Sequence, residues 1–90
     1  MNNAQIINNV AASIYGREEV MEMVAQGIEP PVHTALGWKM RGNYKVKDGE
    51  VGIDVKLWKK RKESSEGQEP QFYLSKAVLY CREQVELVES

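Results

Sequence analysis

The run from Val51 to Trp58 constrains this chain most, because Val51, Ile53, Val55 and Leu57 alternate there with Asp54, Lys56 and Trp58. Successive side chains of a strand point to opposite faces, so a period of two predicts a strand with one buried and one solvent-facing side. That alternation puts Trp58 on the polar face, beside Lys56. Just upstream, Tyr44-Lys45-Val46-Lys47 is followed by Asp48-Gly49. Asp-Gly tolerates the positive φ angles of a two-residue type I′ turn, so residues 44–47 and 50–58 are predicted to form a hairpin. Phe72 to Tyr80, rich in aromatic and β-branched residues, supplies a third strand.

Helices are expected on either side of the first proline pair. Ile7, Val10, Ala11 and Ile14 recur at helical spacing over residues 4–14, with Asn3 as N-cap. Gly16 either interrupts that helix, leaving Glu18 and Glu19 in the first turn of a second, or only weakens it. The favoured reading is one continuous or kinked helix ending near Gln26, with Gly27 as its stop. Pro30-Pro31 forces an extended link. Thr34 then caps a short helix from Ala35 to Arg41, closed by Gly42. Lys60 to Gln71 is polar and aperiodic and reads as a mobile loop over residues 60–71, and Arg82 to Val88 as a last short helical turn.

Ninety residues make one domain with a modest core. The fold class is therefore α+β: an N-terminal helical segment and a short helix packed on one face of a three-stranded antiparallel sheet. Its buried set is expected to be Ile7, Val10, Ile14, Val24, Leu36, Trp38, Val46, Ile53, Val55, Leu57, Leu74 and Leu79. The single cysteine, Cys81, forms no internal disulfide, and the sequence shows neither a signal peptide nor a membrane-length apolar run. A cytoplasmic setting is the expectation.

Chemistry that needs clustered functional groups is poorly served. One histidine, His33, and one cysteine are too few for a zinc site, and no local signature makes them a catalytic pair. No EF-hand spacing or phosphate-cradling glycine loop occurs. Neither enzymatic activity nor a cofactor or metal is expected.

Charge is more informative. The net charge is only −1, but residues 39–62 hold nine cations against Asp48, Glu50 and Asp54. Both flanking thirds are acidic. Cations in one block, interleaved with Tyr44 and Trp58, suit phosphate contacts and base stacking. Lysines on a hairpin also serve solubility and edge protection alone, and Trp38 reads as a core residue.

The run Thr34-Ala35-Leu36-Gly37-Trp38-Lys39-Met40-Arg41-Gly42, followed by Val46-Lys47-Asp48-Gly49-Glu50-Val51-Gly52-Ile53, resembles the N-terminal domain of ArdC-type antirestriction proteins. It is still more similar to short stand-alone relatives in phages and mobile elements of Gram-positive bacteria. Leu57-Trp58-Lys59, Phe72-Tyr73-Leu74 and Arg82-Glu83-Gln84-Val85-Glu86 fit the same pattern. The likeness runs from about Glu29 to Glu86, with Gly42, Gly49, Glu50, Ile53 and Gln84 its most specific points. It implies binding of single-stranded DNA without sequence specificity, where mobile DNA is protected on entering a host. The metallopeptidase-like domain of larger relatives is not expected of residues 1–90. Three positions depart from the pattern: Asn43 is an extra residue before Tyr44, and Asp48 and Val51 stand where relatives carry lysine.

The expected function is thus binding of single-stranded nucleic acid, DNA first. Lys45, Lys47, Lys56, Lys59, Lys60 and Arg61 would contact phosphates, and Trp58 would stack on a base. The alternative is a protein-interaction module that docks on a host protein or self-associates through an exposed strand.

Overall fold

The first helix begins where two amides cap it reciprocally. Asn2 accepts from the Gln5 backbone N–H at 2.8 Å, and the Gln5 side chain accepts from the Asn2 N–H at 2.9 Å. In the computed structural model, which describes residues 2–60 and 71–89, this helix is α1 (Asn3–Tyr15) and is followed by α2 (Arg17–Ala25). Gly16 separates them at φ 98°, a conformation open to glycine and costly to other residues, so the long single helix is corrected to two. The break also turns α2 so that Val20, and not Val24, enters the core; Val24 and Ile14 are exposed. Gly27, at φ 75°, ends the segment as expected.

Beyond the prolines, β1 (Val32–His33) leads into α3 (Ala35–Gly42). The Thr34 hydroxyl caps α3 by accepting from the Gly37 N–H at 3.0 Å. The left-handed residue that closes it is Asn43, at φ 61°, with Gly42 still helical. Among the described residues four strands follow: β2 (Tyr44–Val46), β3 (Ile53–Lys60), β4 (Phe72–Cys81) and β5 (Val85–Leu87), the last preceded by a 3-10 turn at Arg82–Gln84.

The α+β class and its three-stranded antiparallel sheet with helices packed against it hold, but one strand is exchanged. The sheet order is β1-β4-β3, while β2 pairs with β5 in a separate two-stranded ribbon. The predicted 44–58 hairpin is therefore corrected. Gly49 has φ 83° and Asp48 keeps a negative φ, so the turn has the sign pattern of type II; type I′ needs positive values at both positions. Such a turn splays its arms. The two arms go instead to Gln84, whose carbonyl accepts from the Lys47 N–H at 2.9 Å. Its side chain donates to the Val51 carbonyl at 2.8 Å.

Alternation then sorts the core. Leu57 and Leu79 point to the same side as Val32 and meet Ala11 and Val20 of the two N-terminal helices, with Val10, Ile7, Val55 and Ala77 partly buried around them. His33, one residue on, points the other way. It forms an edge-on ring contact with Trp38 at 4.8 Å; Trp38 in turn meets Tyr44 at 5.3 Å, and Arg82 lies 4.8 Å over the Tyr44 ring. The Trp38 indole donates to the Tyr80 carbonyl at 2.8 Å, tying α3 to β4. Leu36 is exposed because Trp38 occupies the inward side of α3, and Leu74 because it falls on the outward face of β4. Ile53, at the start of the edge strand, is 37% exposed, and Val46 is half-buried in the ribbon.

Candidate nucleic-acid interface

β3 lies at the edge of the sheet, and its register with β4 decides which side chains share a face. Asp54 stands opposite Val78, Lys56 opposite Lys76, Trp58 opposite Leu74 and Lys60 opposite Phe72. These eight residues form the face turned away from the core of Leu57 and Leu79. Its apolar members are exposed: Phe72 61%, Leu74 48%, Trp58 40% and Val78 36%.

Two depressions are lined by residues of this strand pair. One, of about 700 Å³, is lined by Asp54, Val55, Lys56, Lys76, Ala77 and Val78. The other, of about 590 Å³, is lined by Asn2, Asn3, Trp58 and Phe72. Asn3 fixes the Trp58 backbone from outside the sheet: its Oδ1 accepts from the Trp58 N–H at 2.7 Å and its Nδ2 donates to the Trp58 carbonyl at 3.0 Å. The side-chain amide thus stands in for a neighbouring strand and blunts the edge there.

Of the seven residues expected in the site, Lys56, Trp58 and Lys60 come together on this face. Lys59, opposite Tyr73, points to the other side. Lys45 and Lys47 belong to the β2–β5 segment and already have partners. Lys45 pairs with Glu86 at 3.4 Å, and the Lys47 ammonium donates to the Glu83 carbonyl at 3.0 Å. Arg61 lies outside the described residues, as do residues 61–70 of the expected loop. Sequence reasoning missed Lys76, Phe72 and Leu74. Their period-two spacing in β4 was visible, but its phase relative to β3 was not.

No family model, no curated protein and no solved structure matches this chain.

The remaining polar chemistry holds the fold. Glu29 forms a bidentate pair with Arg41, at 2.7 and 2.9 Å, which holds its carboxyl below the usual range. Burial, helped by the Arg41 charge, pushes the His33 imidazole pKa down, with Glu29 3.7 Å away opposing. Cys81 shares the Val32 side of the sheet while His33 points to the other, so the thiol and the imidazole do not face each other. The Tyr15 hydroxyl donates to Glu83 at 2.8 Å; burial first, and that bond second, raise its pKa. Among the described residues, no three His, Cys, Asp or Glu side chains come together as a metal site, and no helix is long and apolar enough to cross a membrane.

Proposed function

We propose that this protein binds single-stranded nucleic acid, DNA first, without reading its sequence and without catalysis, in the cytoplasm of a cell that hosts mobile DNA. The observation that carries the reading is the outward face of β3 and β4, where Lys56, Lys60 and Lys76 surround exposed Trp58 and Phe72. Stacking on aromatic side chains accepts any base, since every base has a π face, and ammonium groups neutralise phosphates regardless of sequence. The resemblance to ArdC-type N-terminal domains points the same way. Exposed aromatic rings also suit an unpaired strand better than a duplex, whose bases are already stacked on one another. Trp58→Ala is therefore expected to weaken binding of a single-stranded oligonucleotide by roughly 5- to 150-fold, the equivalent of about 1–3 kcal/mol. The salt dependence should stay as it was, because no phosphate contact is lost. Unchanged affinity would defeat the stacking role.

A second reading, docking on a protein, draws support from another surface. Asn8, Asn9 and Ala12 of α1 and Val20, Met21 and Val24 of α2 line a groove of about 450 Å³. Exposed Met21 and Val24 would give it apolar anchors. Retention of oligonucleotide binding after Met21→Glu would assign that groove to something other than nucleic acid.

A further inference from the structure

The Asn3 bonds to Trp58 identify what kind of pair each rung of the β3–β4 ladder is. Both backbone groups of Trp58 are taken from outside the sheet, so Trp58 and Leu74 do not exchange hydrogen bonds with each other. Pair types alternate along an antiparallel ladder. Lys56 and Lys76, one rung of the same parity away, are therefore also a non-hydrogen-bonded pair, the type that brings facing side chains closest, with Cβ atoms about 4.5–5.5 Å apart. Like charges directly opposite in this way destabilise a sheet. Neither lysine forms a salt bridge among the described residues.

Two lysines at facing positions of neighbouring strands, both lining one depression, form a site for an anion placed between them. We infer that Lys56 and Lys76 together seat one phosphodiester group of a single strand, and that this seat fixes the position and length of the bound segment. The inference rests on the nucleic-acid reading above and narrows it. On one side of the seat, the Asp54–Val78 rung carries a carboxylate that repels the backbone. On the other side, the Trp58–Leu74 rung offers a stacking ring and the Lys60–Phe72 rung a second ring with a cation. The strand must then run from the lysine pair toward Phe72. From the Lys56 rung to the Lys60 rung is four residues, about 14 Å at about 3.4 Å per residue. Two aromatic positions within that span suit a segment of about three nucleotides.

The ligand class is a phosphodiester with its bases; a free polyphosphate shares the anionic chemistry but brings nothing for Trp58 and Phe72. Oligothymidylates of increasing length and inorganic tripolyphosphate, titrated into the full chain and into Lys76→Gln, separate the two. Affinity is expected to rise steeply with length up to about three or four nucleotides and little thereafter. Two neutralised phosphates, one in the Lys56–Lys76 seat and one at Lys60, predict a log–log salt slope of about −1.4, or roughly a 7-fold loss between about 50 and 200 mM salt. Lys76→Gln should reduce that loss to roughly 3-fold, because the seat needs both lysines to hold its phosphate and only the Lys60 contact is left. Its thermal midpoint should equal or exceed that of the parent, because the cross-strand repulsion is relieved. Tripolyphosphate should bind more weakly than the oligonucleotide. Oligonucleotide binding with the slope unchanged in Lys76→Gln overturns the seat while leaving the nucleic-acid reading intact. A lowered midpoint, or tripolyphosphate binding as tightly as the oligonucleotide, also overturns it. No oligonucleotide binding at all overturns both.

Discussion

Truncating Trp38 tests how this small domain holds together away from its main core. Trp38 is 5% exposed, meets His33 and Tyr44 edge-on, and donates its indole N–H to the Tyr80 carbonyl at 2.8 Å. Trp38→Ala removes the ring and leaves a cavity among β1, β2 and α3, a change that costs about 3–5 kcal/mol for a large aromatic residue. It also strands the Tyr80 carbonyl. Trp38→Phe keeps most of the ring but still loses the donor, so its cost should lie nearer about 1–3 kcal/mol. A 90-residue domain has a total stability of only about 5–13 kcal/mol, so the alanine variant should lose a large part of it. Urea denaturation followed by far-ultraviolet circular dichroism gives both values from the midpoint and slope. The order wild type, Phe, Ala is expected. A loss below about 1.5 kcal/mol in Trp38→Ala would refute the view that this aromatic stack is a second core joining α3 to the sheet.

Two further outcomes follow from close contacts and charge. A Cβ built at Gly52 would lie 2.7 Å from the Leu79 carbonyl oxygen and collide with the Val78 side chain. Gly52→Ala should therefore cost about 1–3 kcal/mol in thermal or urea unfolding, and a neutral substitution would contradict this approach of the chain to β4. Because the folded state holds the His33 pKa below its ordinary value, the unfolded chain takes up the proton first on acidification. Stability should be complete above about pH 6.5 and fall below it, and the fall should be shallower in His33→Gln; parallel curves would reject His33 as the cause.

The strand containing Trp58 was legible because its alternation is local: Leu57 is 9% exposed and Trp58 40%, as a period of two demands. The caps at Thr34 and Gly27 were legible for the same reason. What the sequence concealed is which strands pair. Asp48-Gly49 announces a turn, but the partner of β2 lies about forty residues away, brought in by Gln84 and by Val85, which is 1% exposed. That pairing carries Lys45 and Lys47 into a ribbon of their own, where carboxylate and carbonyl oxygens engage them. Lys76 was invisible as a site residue for a related reason. The segment between β3 and β4 carries no turn signature that would fix their register, and one residue of slip would turn Lys76 to the other face.

On the proposed reading, single-stranded nucleic acid lies along the outward face of β3 and β4. Amide and indole chemical shifts recorded during titration with a short oligothymidylate at low salt test it most directly. The predicted result is a set of shifts concentrated at Lys56, Trp58, Lys60, Phe72, Leu74 and Lys76, including the Trp58 indole N–H, that retreats as salt is added. The Asn8, Met21 and Val24 groove should stay unchanged. Shifts confined to that groove or to the β2–β5 ribbon, or no shifts at all, would rule out this face as the binding surface.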